Sequence, residues 1–212
     1  MGGPMTDVKR GYDSSRRQEY ARRHREAVLT AAQHRFLSDG YSATTIAAIA
    51  GDAGVSAETI YKTFGGKAGL VKAIWERGLA GSGDVPAPQR SDQMQAREKD
   101  PRQIIRNWGQ LTSEVAPRVA PILLLIRSAA TAEPEMARLL SETDQQRLQR
   151  MRHNAHALAG HLKPGVSPRA AAEVMWTYSS PDLYDLLVLR RQWPIQRYGR
   201  FIADSMISAL LP

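Results

Sequence analysis

A chain of 212 residues, 42% apolar and 24% charged, is long enough to bury a sizeable core, and it holds no run approaching the ~18–20 uninterrupted apolar residues of a membrane span. The complete lack of cysteine excludes disulfide frameworks, thiol nucleophiles and thiolate metal sites. Lys and Arg number 29 against 21 Asp and Glu, a formal charge of +8, which suits a polyanionic partner such as nucleic acid although it also serves plain solubility.

The first residues are followed by charges instead of an apolar leader, so the expected compartment is the cytoplasm. Lys9, Arg10, Arg16, Arg17, Arg22, Arg23 and Arg25 face only Asp13 and Glu19. Residues 1–20 are therefore expected to form a basic, disordered arm, either simply solvated or laid along phosphates or a minor groove. Residues 21–80 read as a first domain. Its leading helix carries Val28, Ala32 and Phe36 on one stripe and stops at Gly40. Two short helices follow, Thr44 to about Asp52 and Ser56 to about Thr63, joined by Ala53-Gly54-Val55. A fourth, Lys67 to Leu79, spaces Leu70, Val71, Ile74 and Trp75 for burial. Residues 81–100 combine Gly, Pro, Ser and charge with almost nothing to bury, which predicts a mobile linker.

Beyond it, residues 101–212 are expected to form a second helical domain. Cap-proline pairs at Asp100-Pro101, Ser167-Pro168 and Ser180-Pro181 mark helix starts, because proline's missing N–H costs nothing there. The predicted helices lie near 101–116, 121–131, 134–161, 168–179, 181–191 and 195–210. The fold class is all-α.

The two short helices meet the size limits of a helix-turn-helix. Ala50 is small where the second helix crosses, Gly54 suits a positive φ, and Ile49, Val55 and Ile60 can fill the wedge between the pair. On this reading the N-terminal end of the third helix enters the major groove. Ala57, Glu58, Thr59, Tyr61, Lys62 and Thr63 are the residues that the wedge does not need.

The run ATTIAAIAGDAGVSAETIYKTFGGKAGLVKAIWE, after a helix ending in FLSDGY, resembles the tetracycline-repressor (TetR) family of bacterial transcription regulators over about residues 25–76. The resemblance implies an all-helical homodimer that binds double-stranded DNA at a palindromic operator, with a diverged C-terminal domain that pairs and holds an inducer. By position, Thr44 or Thr45 would cap the second helix and could offer a hydroxyl to phosphate. Tyr61 matches the family's phosphate-contacting tyrosine, against a plain packing role on the fourth helix. Lys67 resembles the lysine whose backbone N–H and side chain meet a phosphate at a helix start. The chain departs from the family at Gly66, where a capping side chain is usual, at Thr63, where many members have His, and at Glu58, where a small residue is common.

In the second domain an apolar cavity would suffice for a partly apolar small-molecule inducer. Trp75, Trp108, Leu111, Met151, Met175, Trp176 and Tyr178 are the candidate lining, and each could equally be core. Ile195, Tyr198, Ile202, Met206 and Leu210 form one stripe, and Leu183, Leu186 and Leu187 another. Both could pack across a two-fold axis or stay inside the protomer. His161 lies well around the helix from His153 and His156 and no carboxylate falls at a fixed offset, so no metal site is expected; nor does a nucleophile elbow, phosphate loop or dinucleotide fingerprint occur, so no cofactor or enzymatic activity is expected. The rival to a ligand-responsive repressor is an architectural DNA-binding protein without a ligand.

Overall fold

The computed structural model describes residues 8–83 and 85–212, with side chains from Arg16 onward. It contains two compact units, one ending at Ala73 and the other spanning Ile74–Pro212. The described residues contain helices and turns and no strand, in keeping with the all-α expectation.

The first unit is built from α1 (Val8–Asp39), α2 (Ile46–Ala53), α3 (Ala57–Phe64) and the opening turns of α4 (Lys67–Ala80). Val28, Leu29, Ala32 and Phe36 of α1 are buried with Ile49, Ile60, Leu70 and Val71, so residues from all four helices supply the core. An ion pair of 2.5 Å between Arg35 and Asp52 ties α1 to α2. Residues 8–20, expected as a disordered arm, are helical, while residues 1–7 lie outside the described ones. No proline interrupts this stretch, and Glu19 pairs with Arg22 at 2.7 Å and Arg23 at 2.9 Å, relieving part of the repulsion one turn apart.

The second unit comprises the remainder of α4 with α5 (Ala87–Arg97), α6 (Pro101–Ala129), α7 (Pro134–Ala157), a 3₁₀ turn (Ala159–His161), α8 (Pro168–Tyr178), α9 (Pro181–Tyr184) and α10 (Ile195–Leu210). A π-turn, Asp185–Arg190, continues α9. The cap-proline starts are present, with Asp100, Ser167 and Ser180 each accepting a backbone N–H at the head of its helix. The core joins Ile105 and Trp108 of α6, Ala155 of α7, Met175 of α8 and Tyr198, Ile202 and Leu210 of α10.

Two expectations are corrected here. The linker at 81–100 contains α5, whose Ala87 and Ser91 are buried. Paired polar groups hold it: Arg90 donates to Glu114 at 2.5 and 2.9 Å, Arg150 donates to Asp92 at 2.7 Å, and Gln95 donates to Asn154 at 3.3 Å. The helices at 101–116 and 121–131 are one, running unbroken through Pro117 and Pro121. Pro117 is exposed, while Val119, Ala120, Ile122, Leu123 and Ile126 carry the buried face onward.

Candidate nucleic-acid interface and ligand cavity

Ala50, 5% exposed, lies at the crossing of α2 and α3, beside fully buried Ile49 and Ile60. Gly54 takes φ 66°, a conformation costly for any residue with a Cβ, and its N–H caps the carbonyls of Ala50 and Gly51. The next residue's N–H, from Val55, also donates to the Ala50 carbonyl, at 3.0 Å. Ser56 then starts α3 by accepting the Thr59 N–H at 3.1 Å, and its hydroxyl lies 2.8 Å from that of Thr59. With Ile60 turned inward, Glu58, Thr59, Tyr61, Lys62 and Thr63 are all exposed, and Ala57 is half-buried. Tyr61 is 56% exposed, which is not the burial expected of a packing residue.

The two threonines before α2 separate clearly. Thr45 is exposed and caps the helix, accepting the Ala48 N–H at 3.1 Å. Thr44 is 2% exposed, and its hydroxyl donates to the carbonyls of Arg35 at 3.1 Å and Gly40 at 2.7 Å. The expected phosphate contact from Thr44 is therefore withdrawn: its hydroxyl is enclosed and closes the turn after α1. Lys67 opens α4, its Nζ 4.3 Å from the centre of the Tyr41 ring and 3.4 Å from the Ser42 carbonyl. A cation is thus held at the start of a 14-residue helix.

The second unit contains a partly open cavity of about 380 Å³. Trp75, Trp108, Leu111, Met151 and Met175 line it, as expected from sequence. Trp176 and Tyr178 do not. Trp176 instead lies under the Arg147 guanidinium, 4.3 Å from ring centre to Cζ, and Tyr178 packs against the core.

The dimer stripe on α10 is also corrected. Tyr198, Ile202, Met206 and Leu210 are all buried within the protomer, and the first three line the cavity. A surface already covered by its own chain cannot cover a partner. Of the other stripe, Leu186 is 48% exposed, whereas Leu183 and Leu187, like Ile195, are partly buried against the core. The exposed apolar side chains in this region are Leu186, Leu189 and Phe201, with Trp193 edge-on to Phe201 at 5.6 Å and capped by the Arg197 guanidinium at 3.8 Å.

Sequence reasoning missed the polar wall of the cavity. Ser91 of α5 and Thr143, Gln146, Arg147, Arg150 and Asn154 of α7 belong to it. The missed signal was periodic: positions 143, 147, 150 and 154 recur at the spacing of one helix face, and that face also carries buried Met136 and Leu139. Opposite in character, Tyr184 and Tyr198 meet edge-to-face at 5.7 Å, and burial pushes both phenols above their ordinary range, so they stay neutral donors. Among the described residues no group of His, Asp and Glu is arranged to hold a metal, and His153 lies 3.2 Å from Asp92.

These features define a helix-turn-helix protein with a separate, cavity-bearing helical unit. Residues 28–74 match the family model described as bacterial regulatory proteins, tetR family. No curated protein sequence matches the chain. Among solved structures, SmeT bound to triclosan is 22% identical, with 89% of this chain and 92% of that one aligned at a TM-score of 0.68. NalD, the secondary repressor of the MexAB-OprM multidrug efflux pump in Pseudomonas aeruginosa, is 21% identical over 90% of this chain and 98% of its own, also at 0.68. A protein from Saccharomonospora viridis solved with choline is 16% identical over 89% and 97%, at 0.65. At such identities these structures share the fold alone, and the match to the family model is confined to the N-terminal segment. Residues 28–74 are thus similar to bacterial regulatory proteins of the tetR family, and the chain as a whole shares the fold of the solved structures.

Proposed function

We propose that this protein is a homodimeric, non-catalytic cytoplasmic repressor that binds a palindromic operator and is released by a small molecule. The observation that carries the reading is the presentation of α3: a capped helix beginning after a left-handed glycine, with Glu58, Thr59, Tyr61, Lys62 and Thr63 exposed along it. Ala57, Thr59 and Lys62 are assigned to base edges, Glu58 to a cytosine amine, and Thr45, Tyr61, Thr63 and Lys67 to the backbone. The first unit, ending at Ala73, is the DNA-binding part, and the second, from Ile74 onward, is the ligand-binding and pairing part.

The cavity supports a sensor over an architectural DNA-binding protein, which needs none. Pairing through Leu186, Leu189 and Phe201 would hide the exposed apolar side chains of that region, and two-fold symmetry would be mirrored in the operator half-sites. Among the described residues no helix is long and apolar enough to cross a membrane.

Selection of bound sequences from a random DNA pool tests the reading. An inverted repeat is the expected result, lost when residues 56–63 are scrambled in a variant that still folds. Equal recovery of unrelated sequences would favour the architectural alternative.

A further inference from the structure

The cavity wall is chemically lopsided. Two guanidinium groups, Arg147 and Arg150, border it and no carboxylate does. Each arginine has an acidic neighbour outside the lining: Asp144 receives Arg147 at 3.2 Å, and Asp92 receives Arg150 at 2.7 Å. Those bonds leave donors over. Arg150 uses only Nη2, shared between Ser91 at 2.8 Å and Asp92, so among the described residues Nη1 and Nε have no hydrogen-bond partner. Arg147 Nε is buried without a partner. Asn154, 6% exposed and bordering the cavity, accepts from Gln95 through Oδ1, while its Nδ2 has no acceptor among the described residues. Arg150 and Asn154 stand one helical turn apart on α7.

Unmatched donors and fixed positive charge on one wall, facing indole, phenol, Leu and Met side chains on the others, specify a guest of two halves. Resting on the sensor reading above, we propose that the cavity takes an amphipathic organic anion, its apolar body among Trp75, Trp108 and Met175 and its carboxylate or equivalent group against Arg150, Asn154 and Arg147. An organic cation of the same shape meets aromatic faces, but two guanidinium groups and no carboxylate on the lining to pair with it.

The test uses three probes with one body: 4-biphenylacetate, 4-biphenylacetamide and 2-(biphenyl-4-yl)ethylammonium, titrated calorimetrically into the full chain. The carboxylate is expected to bind at least about tenfold more tightly than the amide, and the ammonium most weakly, because charge-assisted hydrogen bonds form only to the first. Arg150→Gln should bring carboxylate and amide to equal affinity, and Arg150→Lys should keep most of the preference. A carboxylate with no advantage, an ammonium that binds as well, a preference untouched by Arg150→Gln, or no binding of any probe at millimolar concentration overturns the inference. Operator release, followed by fluorescence anisotropy with the selected DNA, keeps the two readings apart. Carboxylate binding with undiminished DNA affinity upholds the anion site and removes the inducer role, whereas release by the amide as readily as by the carboxylate does the reverse.

Discussion

Thr44 and Thr45 differ only in where the backbone points their Cβ atoms. The hydroxyl of the first is enclosed and donates to Arg35 and Gly40, while that of the second caps α2 in the open. Thr44→Val is expected to cost about 1–3 kcal/mol of stability, because the Gly40 carbonyl loses its 2.7 Å side-chain donor in a buried site, with DNA affinity per folded molecule unchanged. Thr45→Ala should cost about 1 kcal/mol, the usual value of an N-cap. Urea unfolding monitored by circular dichroism, beside gel-shift titration, measures both. Glu114 supplies a pH signature. Its hydrogen bonds from Arg90 and from the Ser82 N–H hold its carboxyl down at about 2, below the ordinary 4.5. A lowered folded value means the unfolded chain takes up the proton first. The stabilisation is therefore complete above about 4.5 and disappears as pH falls toward about 2. With the side chain 24% exposed, the contribution is on the order of 1 kcal/mol. Glu114→Gln should remove that part of the acid sensitivity in thermal melts between pH 5 and 2. Which threonine is buried could not be read from two adjacent identical residues, since the difference lies in the carbonyls that fold over one of them.

At the level of elements, the helix-turn-helix was legible because its constraints are local: a small Ala50, a left-handed Gly54 and a wedge at Ile60 sit at fixed offsets in sequence. The close crossing of α6 and α10 was not legible. A Cβ built on Gly199 would come 2.0 Å from Ser113 Oγ and 2.4 Å from the Gly109 carbonyl, and one on Gly109 would come 2.5 Å from the Gly199 carbonyl. These two glycines, 90 positions apart in the chain, let the helices touch along their backbones. Gly199→Ala is expected to destabilise the second unit by about 1–3 kcal/mol despite the better helix propensity of alanine, read as a lowered thermal midpoint. The helix at Ala87–Arg97 escaped notice for a related reason. Composition records apolar content, whereas this helix is fastened through Arg90–Glu114 and Arg150–Asp92, whose partners lie far along the chain.

For the molecule as a whole, DNA binding and pairing give the decisive observables. If each protomer neutralises four or five phosphates, the slope of log K against log salt should be about −7 to −9 for a dimer, and a near-flat response would refute the contact set. Lys67→Ala should weaken all sequences alike and flatten that slope by about one per protomer, while Lys62→Ala should change which sequence wins. Leu186→Asp with Phe201→Asp should shift sedimentation toward the monomer, since two charges would be buried against apolar neighbours. Tyr198, Ile202 and Met206, read from sequence as a pairing stripe, instead line the protomer's own cavity. An amphipathic stripe states that a face is covered without saying by what. The sequence alone determined the all-helical class and the helix-turn-helix, because helix periodicity, caps and a tight turn are short-range constraints acting within a few residues. Only the tertiary structure decided the rest: which stripes face inward, how two prolines ride within one helix, and that a row of polar residues on α7 looks onto a cavity. Those outcomes depend on partners brought together across long separations in the chain.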